Sequence, residues 1–226
     1  MKKINALILF VLLSAAGACY KTGSTDKPKT TTTTATASPS AEKPSEPTNQ
    51  TAQTTTGGGS AAEKAVAELE EKVKKDPKDH QSFFQLGKNY QILKSEEKAV
   101  GAYQKAIAAK PDFAEANYEL GRIYTGKKDY EAALPFLQKA AKVKYTSPEY
   151  LIAVADNYRA LRRCNDAIPP YGNALGFNDK NPAAYYGMGL CYIELNNRIA
   201  ASTQVRNLEK LDPKLAKDLE QKIAAK

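Results

Sequence analysis

The stretch "FFQLGKNY" at residues 83–90 decides the fold, because related stretches return three times at a fixed spacing of 34 residues. Within it, Phe83, Leu86 and Tyr90 are spaced three and four residues apart, which places them on one face of a helix. The later stretches are "NYELGRIY" (117–124), "LIAVADNY" (151–158) and "YYGMGLCY" (185–192).

The period also holds through the second half of each unit. Small residues there let two antiparallel helices approach closely, with Gly87 on the first helix and Tyr103 filling the gap between them. One unit cannot bury its own apolar face, so stacking of units must supply the core. Two sets share a phase: Ala99, Ala133, Ala167 and Ala201, and then Ala106, Ala140, Ala174 and Leu208.

This pattern resembles the tetratricopeptide repeat, whose 34-residue unit reads W-x2-L-G-x2-Y, then A-x3-F, then Pro. The resemblance covers residues 80–213, with Pro111 and Pro213 closing the first and fourth units. It implies an all-α solenoid of helix-turn-helix repeats in a right-handed superhelix, with four full repeats over residues 79–213.

Amphipathic segments flank the repeats and are expected to cap the stack. Residues 61–78 place Ala65 and Leu69 in the phase of a second repeat helix, and residues 214–226 place Leu215, Leu219 and Ile223 on one stripe. The total expected is ten helices. Pro135 is expected to kink its helix, whereas Pro169 and Pro170 would fall near the first turn if Asn165 caps a late-starting helix.

Residues 1–18 have the layout of a signal peptide: Lys2 and Lys3, then an apolar stretch too short to span a bilayer, then small residues. Residues 16–19, "AGAC", resemble a lipobox, which implies a lipid on Cys19 and a palmitate-type anchor in the membrane. The alternatives are an ordinary cleavage site releasing a soluble secreted protein, and an uncleaved anchor. Because Tyr20 follows the cysteine, resemblance to enteric lipoproteins favours the outer membrane of the cell envelope.

Residues 19–60 join the anchor to the repeats. They are rich in Thr, Ser and Pro, and Tyr20 is their only large apolar side chain. Such a segment cannot bury enough apolar surface to fold, so we expect a disordered tether.

Two further cysteines, Cys164 and Cys191, stand where repeats of this family carry an aromatic and a small residue that pack across a unit boundary. In an exported protein this suggests a disulfide. The alternative is two buried free thiols that act as small apolar side chains.

Composition disfavours most other functions. The net charge of +8 is interspersed along helical faces, which is typical of a solvated surface, and no nucleic acid partner is expected. His80 is the only histidine, so a catalytic triad that contains histidine would need this residue, and it is expected to be exposed. No metal site, cofactor or small-molecule substrate is predicted. The prediction is a protein that is not an enzyme.

The family resemblance implies that the first helix of each unit lines an inner wall where a peptide or partner helix binds. Aromatic and aliphatic anchors with interspersed cations suit a peptide with apolar and acidic side chains. The alternative is that these are ordinary exposed helix positions, but Phe84, Tyr118 and Tyr186 recur at one phase and are otherwise needlessly exposed. The predicted groove residues are Phe84, Lys88, Gln91, Tyr118, Arg122, Ile152, Asp156, Arg159, Tyr186, Leu190 and Ile193.

The function expected is therefore a membrane-tethered lipoprotein scaffold for protein-protein interaction, with a protein partner in an envelope complex, such as one for envelope or pilus assembly. The competing hypothesis is a structural spacer or self-associating envelope protein.

Overall fold

The computed structural model describes residues 58–226. The predicted signal peptide, Cys19 and the tether up to residue 57 lie outside the described residues. Within residues 58–226 there are ten α-helices and no strands. They are α1 (Gly58–Lys75), α2 (His80–Ile92), α3 (Glu96–Ala109), α4 (Ala114–Gly126), α5 (Tyr130–Val143), α6 (Pro148–Ala160), α7 (Cys164–Phe177), α8 (Pro182–Glu194), α9 (Arg198–Glu209) and α10 (Pro213–Ala224).

The helices pack in consecutive pairs, as the sequence period predicts. Pairs α2–α3, α4–α5, α6–α7 and α8–α9 form four repeats, α1 packs on α2, and α10 packs on α8 and α9. Helix α1 starts at Gly58, three residues before the expected start of the N-terminal cap. The all-α solenoid with four repeats is confirmed.

The core is built from the small residues that share a phase. The alanines at 99, 133, 167 and 201, and those at 106, 140 and 174, are all fully buried, and so is Leu208. Tyr103 and Tyr171 are also fully buried, each in the second helix of its repeat. A methyl group at these helix crossings lets the backbones approach, so that one large side chain per pair fills the remaining space.

Each repeat turns between its two helices in the same way. A non-glycine residue in the left-handed region ends the first helix, with φ of 55° at Lys94, 62° at Lys128, 61° at Arg162 and 58° at Asn196. In the first turn, the N–H of Lys94 donates to the carbonyl of Gln91 (3.0 Å) and that of Ser95 to the carbonyl of Tyr90 (2.8 Å). These two bonds form a Schellman motif, which satisfies carbonyls that the helix end leaves unpaired.

Pro135, Pro169 and Pro170 lie inside helices. Helix α5 begins at Tyr130 after its N-cap Asp129 and continues through Pro135 to Val143. Helix α7 begins at Cys164 with Arg163 at the N-cap, so Asn165 is not its cap and Pro169 and Pro170 lie beyond its first turn. Pro135 and Pro169 are solvent-exposed, and so are Glu131 and Asn165, whose carbonyls lose their helical donors. Water can therefore replace the missing hydrogen bonds, which lowers the cost of proline inside a helix.

Candidate peptide-binding groove

The predicted groove residues all lie on the first helix of a repeat. Those of the first two repeats are Phe84, Lys88 and Gln91 on α2, and Tyr118 and Arg122 on α4. Those of the last two repeats are Ile152, Asp156 and Arg159 on α6, and Tyr186, Leu190 and Ile193 on α8.

The three aromatic residues that recur at one phase are less exposed than the sequence suggested. Tyr118 is only 9% exposed and stacks on Tyr150 with ring centroids 4.4 Å apart. Phe84 is half-buried and its ring lies 5.2 Å from that of Phe113, edge to face. Each ring therefore packs on the beginning of the next repeat. Contact with the next repeat therefore accounts for the recurrence of Phe84 and Tyr118, so this recurrence is not by itself evidence for a groove.

Tyrosine hydroxyls tie the second repeat to the third and the fourth repeat to α10. The hydroxyl of Tyr118 donates to Glu149 (2.8 Å), and that of Tyr186 donates to Asp218 on α10. Burial and then the Glu149 carboxylate raise the pKa of Tyr118 well above its usual range. Burial and then Asp218 raise the pKa of Tyr186 to about 12. Both phenols stay protonated near neutral pH and act as donors along the stack.

A cleft of about 560 Å³ lies between the second and third repeats, and we call it the central cleft. It brings together three predicted groove residues, Tyr118, Ile152 and Asp156. Sequence reasoning missed the others, half of which lie in the loops that connect one repeat to the next and half on α6: Ser147, Asn178 and Asn181, and then Pro148, Glu149 and Ala153.

A second cleft, of about 420 Å³, lies between the third and fourth repeats, and we call it the C-terminal cleft. It also brings together three predicted groove residues, Arg159, Leu190 and Ile193. The residues that sequence reasoning missed are Ala160, Arg162, Glu194 and Lys226. Arg162 occupies the turn position that Lys94 and Lys128 occupy in the two preceding repeats, but neither lysine lines either cleft, so the period gave no signal for Arg162.

The C-terminal cleft carries three cations and one carboxylate. Arg162 contacts Glu194 (3.4 Å), and the ammonium of Lys226 donates to the carbonyls of Ile193 (2.6 Å) and Glu194 (3.2 Å). Lys226 thereby pairs with carbonyls at the end of α8, where a cation is favourable. The apolar walls of Leu190 and Ile193 beside these charges suit an apolar segment with an acidic group.

A polar network joins the two clefts. The guanidinium of Arg159 donates to the hydroxyl of Tyr171 (3.3 Å), and that hydroxyl donates to Asp156, which also contacts Arg159 (3.4 Å). Tyr171 is fully buried, and burial and then Asp156 raise the pKa of its phenol. The buried Tyr171 hydroxyl therefore holds both Asp156, which lines the central cleft, and Arg159, which lines the C-terminal cleft.

The remaining predicted residues line neither of these clefts. Lys88 lies over the Phe84 ring (5.9 Å from ammonium to centroid), and Arg122 pairs with Glu119 (3.4 Å) on its own helix. Gln91 accepts a hydrogen bond from the hydroxyl of Tyr103 (2.7 Å). Clefts therefore lie along the predicted inner wall from the second to the fourth repeat, and the predicted residues on α2 line neither of them.

Cys164 and Cys191 are free thiols in the structure, and the disulfide between them stays a prediction. Cys164 is 2% exposed and Cys191 is fully buried, packed among Ala155, Ala184 and Met188. Burial raises the pKa of both thiols, and Cys164 also lies 3.5 Å from the Glu194 carboxylate. This is the arrangement of the alternative, two buried thiols that act as small apolar side chains.

His80 is half-buried at the start of α2, which corrects the expectation of an exposed residue. Its ring packs edge to face on Phe113, with centroids 5.0 Å apart. Over residues 58–226, no group of three or more His, Cys, Asp or Glu side chains is placed to hold a metal ion. In the same span, no helix combines the length and apolarity that a membrane crossing requires.

Comparison with known proteins agrees with this architecture. Two family models described as tetratricopeptide repeat match residues 80–113 and 97–147. No curated protein matches the chain. Residues 80–147 therefore carry tetratricopeptide repeats.

Solved structures show the same fold. MamA is 22% identical with a TM-score of 0.61, covering 74% of this chain and 93% of its own. YrrB, described as a TPR protein with an unusual peptide-binding site, is 19% identical with a TM-score of 0.66, covering 72% of this chain and 84% of its own. At these identities the likeness shows the fold.

Proposed function

We propose that this protein is a non-catalytic adaptor that presents the inner wall of its repeats to a peptide or helix of a protein partner. One observation carries the proposal. Predicted groove residues from three successive repeats line two adjacent clefts, with Ile152 and Asp156 in the central cleft and Arg159, Leu190 and Ile193 in the C-terminal cleft. The likeness to YrrB, a protein with a peptide-binding site, supports the same function.

Membrane tethering is the second part of the proposal. It is supported by the sequence of residues 1–60, in which a signal-type segment leads to Cys19 and a Thr-rich linker precedes the repeats. A lipid on Cys19 would hold the adaptor at the outer membrane, where a partner from an envelope complex would meet the groove.

The groove is tested by crosslinked affinity capture from membranes. The variant Ile152→Ser with Leu190→Ser removes one apolar side chain from each cleft. The control Ile92→Ser with Ile199→Ser removes two exposed apolar side chains that line neither cleft. We expect a partner captured by the wild type and the control and lost from the groove variant, with helical content by circular dichroism unchanged.

Equal capture by all three proteins would contradict the groove. Capture of the protein's own copies alone, with a mass that rises with concentration in light scattering, would support the structural-spacer hypothesis instead.

The tether is tested separately with Cys19→Ser. Lipidation predicts that this variant leaves the membrane fraction and that the wild-type mature protein carries the mass of acyl chains. An unchanged distribution between fractions would contradict lipid anchoring without affecting the groove.

A further inference from the structure

An apolar cleft of about 520 Å³ lies between α1 and α3, and we call it the N-terminal cleft. Its floor is formed by Phe83, Leu86 and Tyr90 of α2. These residues lie on a different face of α2 from Phe84, Lys88 and Gln91, which belong to the predicted groove. The N-terminal cleft is therefore a separate surface from the one proposed above.

The cleft is open because α3 lacks a large side chain at one position. One repeat later, Phe136 stacks on Tyr124, with ring centroids 5.7 Å apart and planes 8° from parallel. The residue 34 positions before Phe136 is Ala102, and Tyr124 corresponds to Tyr90. Beside Ala102 stands Gly101, and a Cβ added there would meet no atom within 4 Å. Space that a phenyl ring fills in the second repeat is thus left empty in the first.

Two lysines of α3 stand over this floor. The ammonium of Lys98 lies 5.6 Å from the centre of the Tyr90 ring, and that of Lys105 lies 5.7 Å from the Phe83 ring. Within the chain that the structure describes, neither lysine has a carboxylate within 4.0 Å.

The cleft lining also contains one carboxylate and a third lysine. The carboxylate of Glu70 accepts a hydrogen bond from the hydroxyl of Tyr90 (2.5 Å) and keeps its negative charge, and Lys74 pairs with Glu71 (2.6 Å). Three lysines against one carboxylate give the lining a net positive charge.

The spacing of the two lysines indicates the spacing of the carboxylates that a partner helix would need. They are seven residues apart on one helix, which is about 10 Å along its axis. Carboxylates seven residues apart on a second helix have the same spacing, and apolar side chains between them on the same face would meet the floor.

The chain's own N-terminal residues do not have this chemistry. Asp26, Glu42 and Glu46 are the only acidic residues before Gly58, and none has a large apolar neighbour within five residues. Residues 1–57 therefore do not supply the occupant.

We propose that the N-terminal cleft is a second docking site, for an acidic amphipathic helix of a partner protein. Apolar residues of that helix pack on Phe83, Leu86 and Tyr90, and two of its carboxylates pair with Lys98 and Lys105. A protein with both surfaces links two partners, one on each face of α2.

The test uses the full-length protein and two labelled peptides of about 16 residues, long enough to form a helix on binding. Both carry leucines on one face, with two Glu seven residues apart in the acidic peptide and Lys at those positions in the basic peptide. Fluorescence anisotropy should show that the acidic peptide binds about fivefold more tightly, as expected for two exposed ion pairs. The double variant Lys98→Glu with Lys105→Glu should reverse that preference.

The single variant Lys105→Glu should also weaken binding of the acidic peptide, and its matched control is Lys139→Glu, which changes the net charge by the same amount. Lys139 corresponds to Lys105 one repeat later, beside the space that Phe136 fills. We expect its affinities to equal those of the wild type. An equal loss with Lys139→Glu, or no difference between the two peptides, would overturn the proposal by showing that overall charge alone decides binding.

A second pair of variants tests the apolar floor without changing charge. Gly101→Leu should fill the cleft and abolish binding of the acidic peptide, whereas Gly176→Leu, also in a helix with open space around its Cα, should not. Binding that survives Gly101→Leu in a folded protein would overturn the site. Self-association of the wild type that Gly101→Leu abolishes would overturn the choice of occupant and identify a second copy instead.

Discussion

The helices of the first and second repeats follow the same 34-residue period, but the two repeats differ in how completely side chains fill the space beside the second helix of each pair. In the second repeat Phe136 stacks on Tyr124, and in the first Ala102 leaves Tyr90 beneath an open cleft. Both repeats bury their inner residues to the same extent, with Tyr103 and Leu137 almost completely buried. A repeat protein can therefore vary one position per unit to open a cleft, because the positions that hold the helix pair together are different ones.

The largest effects should come from glycines at the crossing of each helix pair. A Cβ at Gly87 would collide with the buried ring of Tyr103, and one at Gly121 would collide with Leu137. We expect Gly87→Ala to lower the free energy of unfolding by about 3 kcal/mol, because a rigid buried ring cannot withdraw, and Gly121→Ala to cost less. Urea denaturation measures both.

The control for this pair is Gly101→Ala, which meets no atom within 4 Å. Alanine is a better helix former, so it should raise the free energy of unfolding by about 0.5 kcal/mol. If Gly87→Ala were neutral, the close packing of α2 on α3 would be contradicted.

Phe136→Ala removes the side chain that distinguishes the second repeat from the first. We expect a loss of about 2 kcal/mol, below the value for a fully buried ring because Phe136 is half-exposed. The same urea titration gives the loss, and binding of an apolar dye should increase as a second cleft opens. An unchanged dye signal would show that neighbouring side chains collapse into the space.

The stabilisation of the N-terminus of α2 by its capping residue should depend on pH, whereas α4 has no titratable capping residue. Asp79 accepts from the hydroxyl (2.6 Å) and N–H (3.0 Å) of Ser82 and pairs with Lys72 (2.9 Å), whereas Phe113 at the start of α4 provides no side-chain cap. These hydrogen bonds and then Lys72 hold the pKa of Asp79 well below its usual range.

A carboxyl with a lowered pKa in the folded state stabilises above its unfolded pKa of about 4, and that contribution is lost as the pH falls below it. Asp79→Ala should cost about 1 kcal/mol at pH 7 and less at pH 3. Denaturation midpoints at the two pH values check this. Ser95→Ala, at an N-cap whose side chain makes no capping bond, should cost little at either pH.

The smallest effects should fall on the turns, where the two repeats do not differ. Lys94→Gly and Lys128→Gly place glycine at φ of 55° and 62°, and each should raise the free energy of unfolding by about 0.5 kcal/mol. Asn196→Gly should gain less, because asparagine tolerates this conformation better than lysine. Unequal gains at Lys94 and Lys128 would show that the two turns are not equivalent.

Spacing alone predicted the helix pairs and much of the core. Alanine at 99, 133, 167 and 201 follows from the period, and all four are fully buried. The left-handed turns were not predictable in this way, since none of the four carries the glycine that usually marks this conformation.

The lining of the two inner-wall clefts was predicted only in part, for a different reason. The burial of Tyr118 depends on Tyr150 and Glu149, which belong to the next repeat. Their positions relative to Tyr118 depend on how the two repeats stack. The N-terminal cleft was not predicted because it arises from the absence of a large side chain at Ala102, where the next repeat has Phe136. The repeat pattern marks the recurring spacing of apolar residues and does not mark where a small residue leaves space.

The packing of α1 has a mechanical consequence. This helix makes its main contacts with α2, supported by the Lys72–Asp79 ion pair and the Tyr90–Glu70 hydrogen bond. Tension applied through the residues before Gly58 would therefore peel α1 first and remove one wall of the N-terminal cleft, while the four repeats stay stacked. A partner held there would be released by pulling, and single-molecule force measurements with and without the acidic peptide would show whether the first unfolding step shifts to higher force when the cleft is occupied.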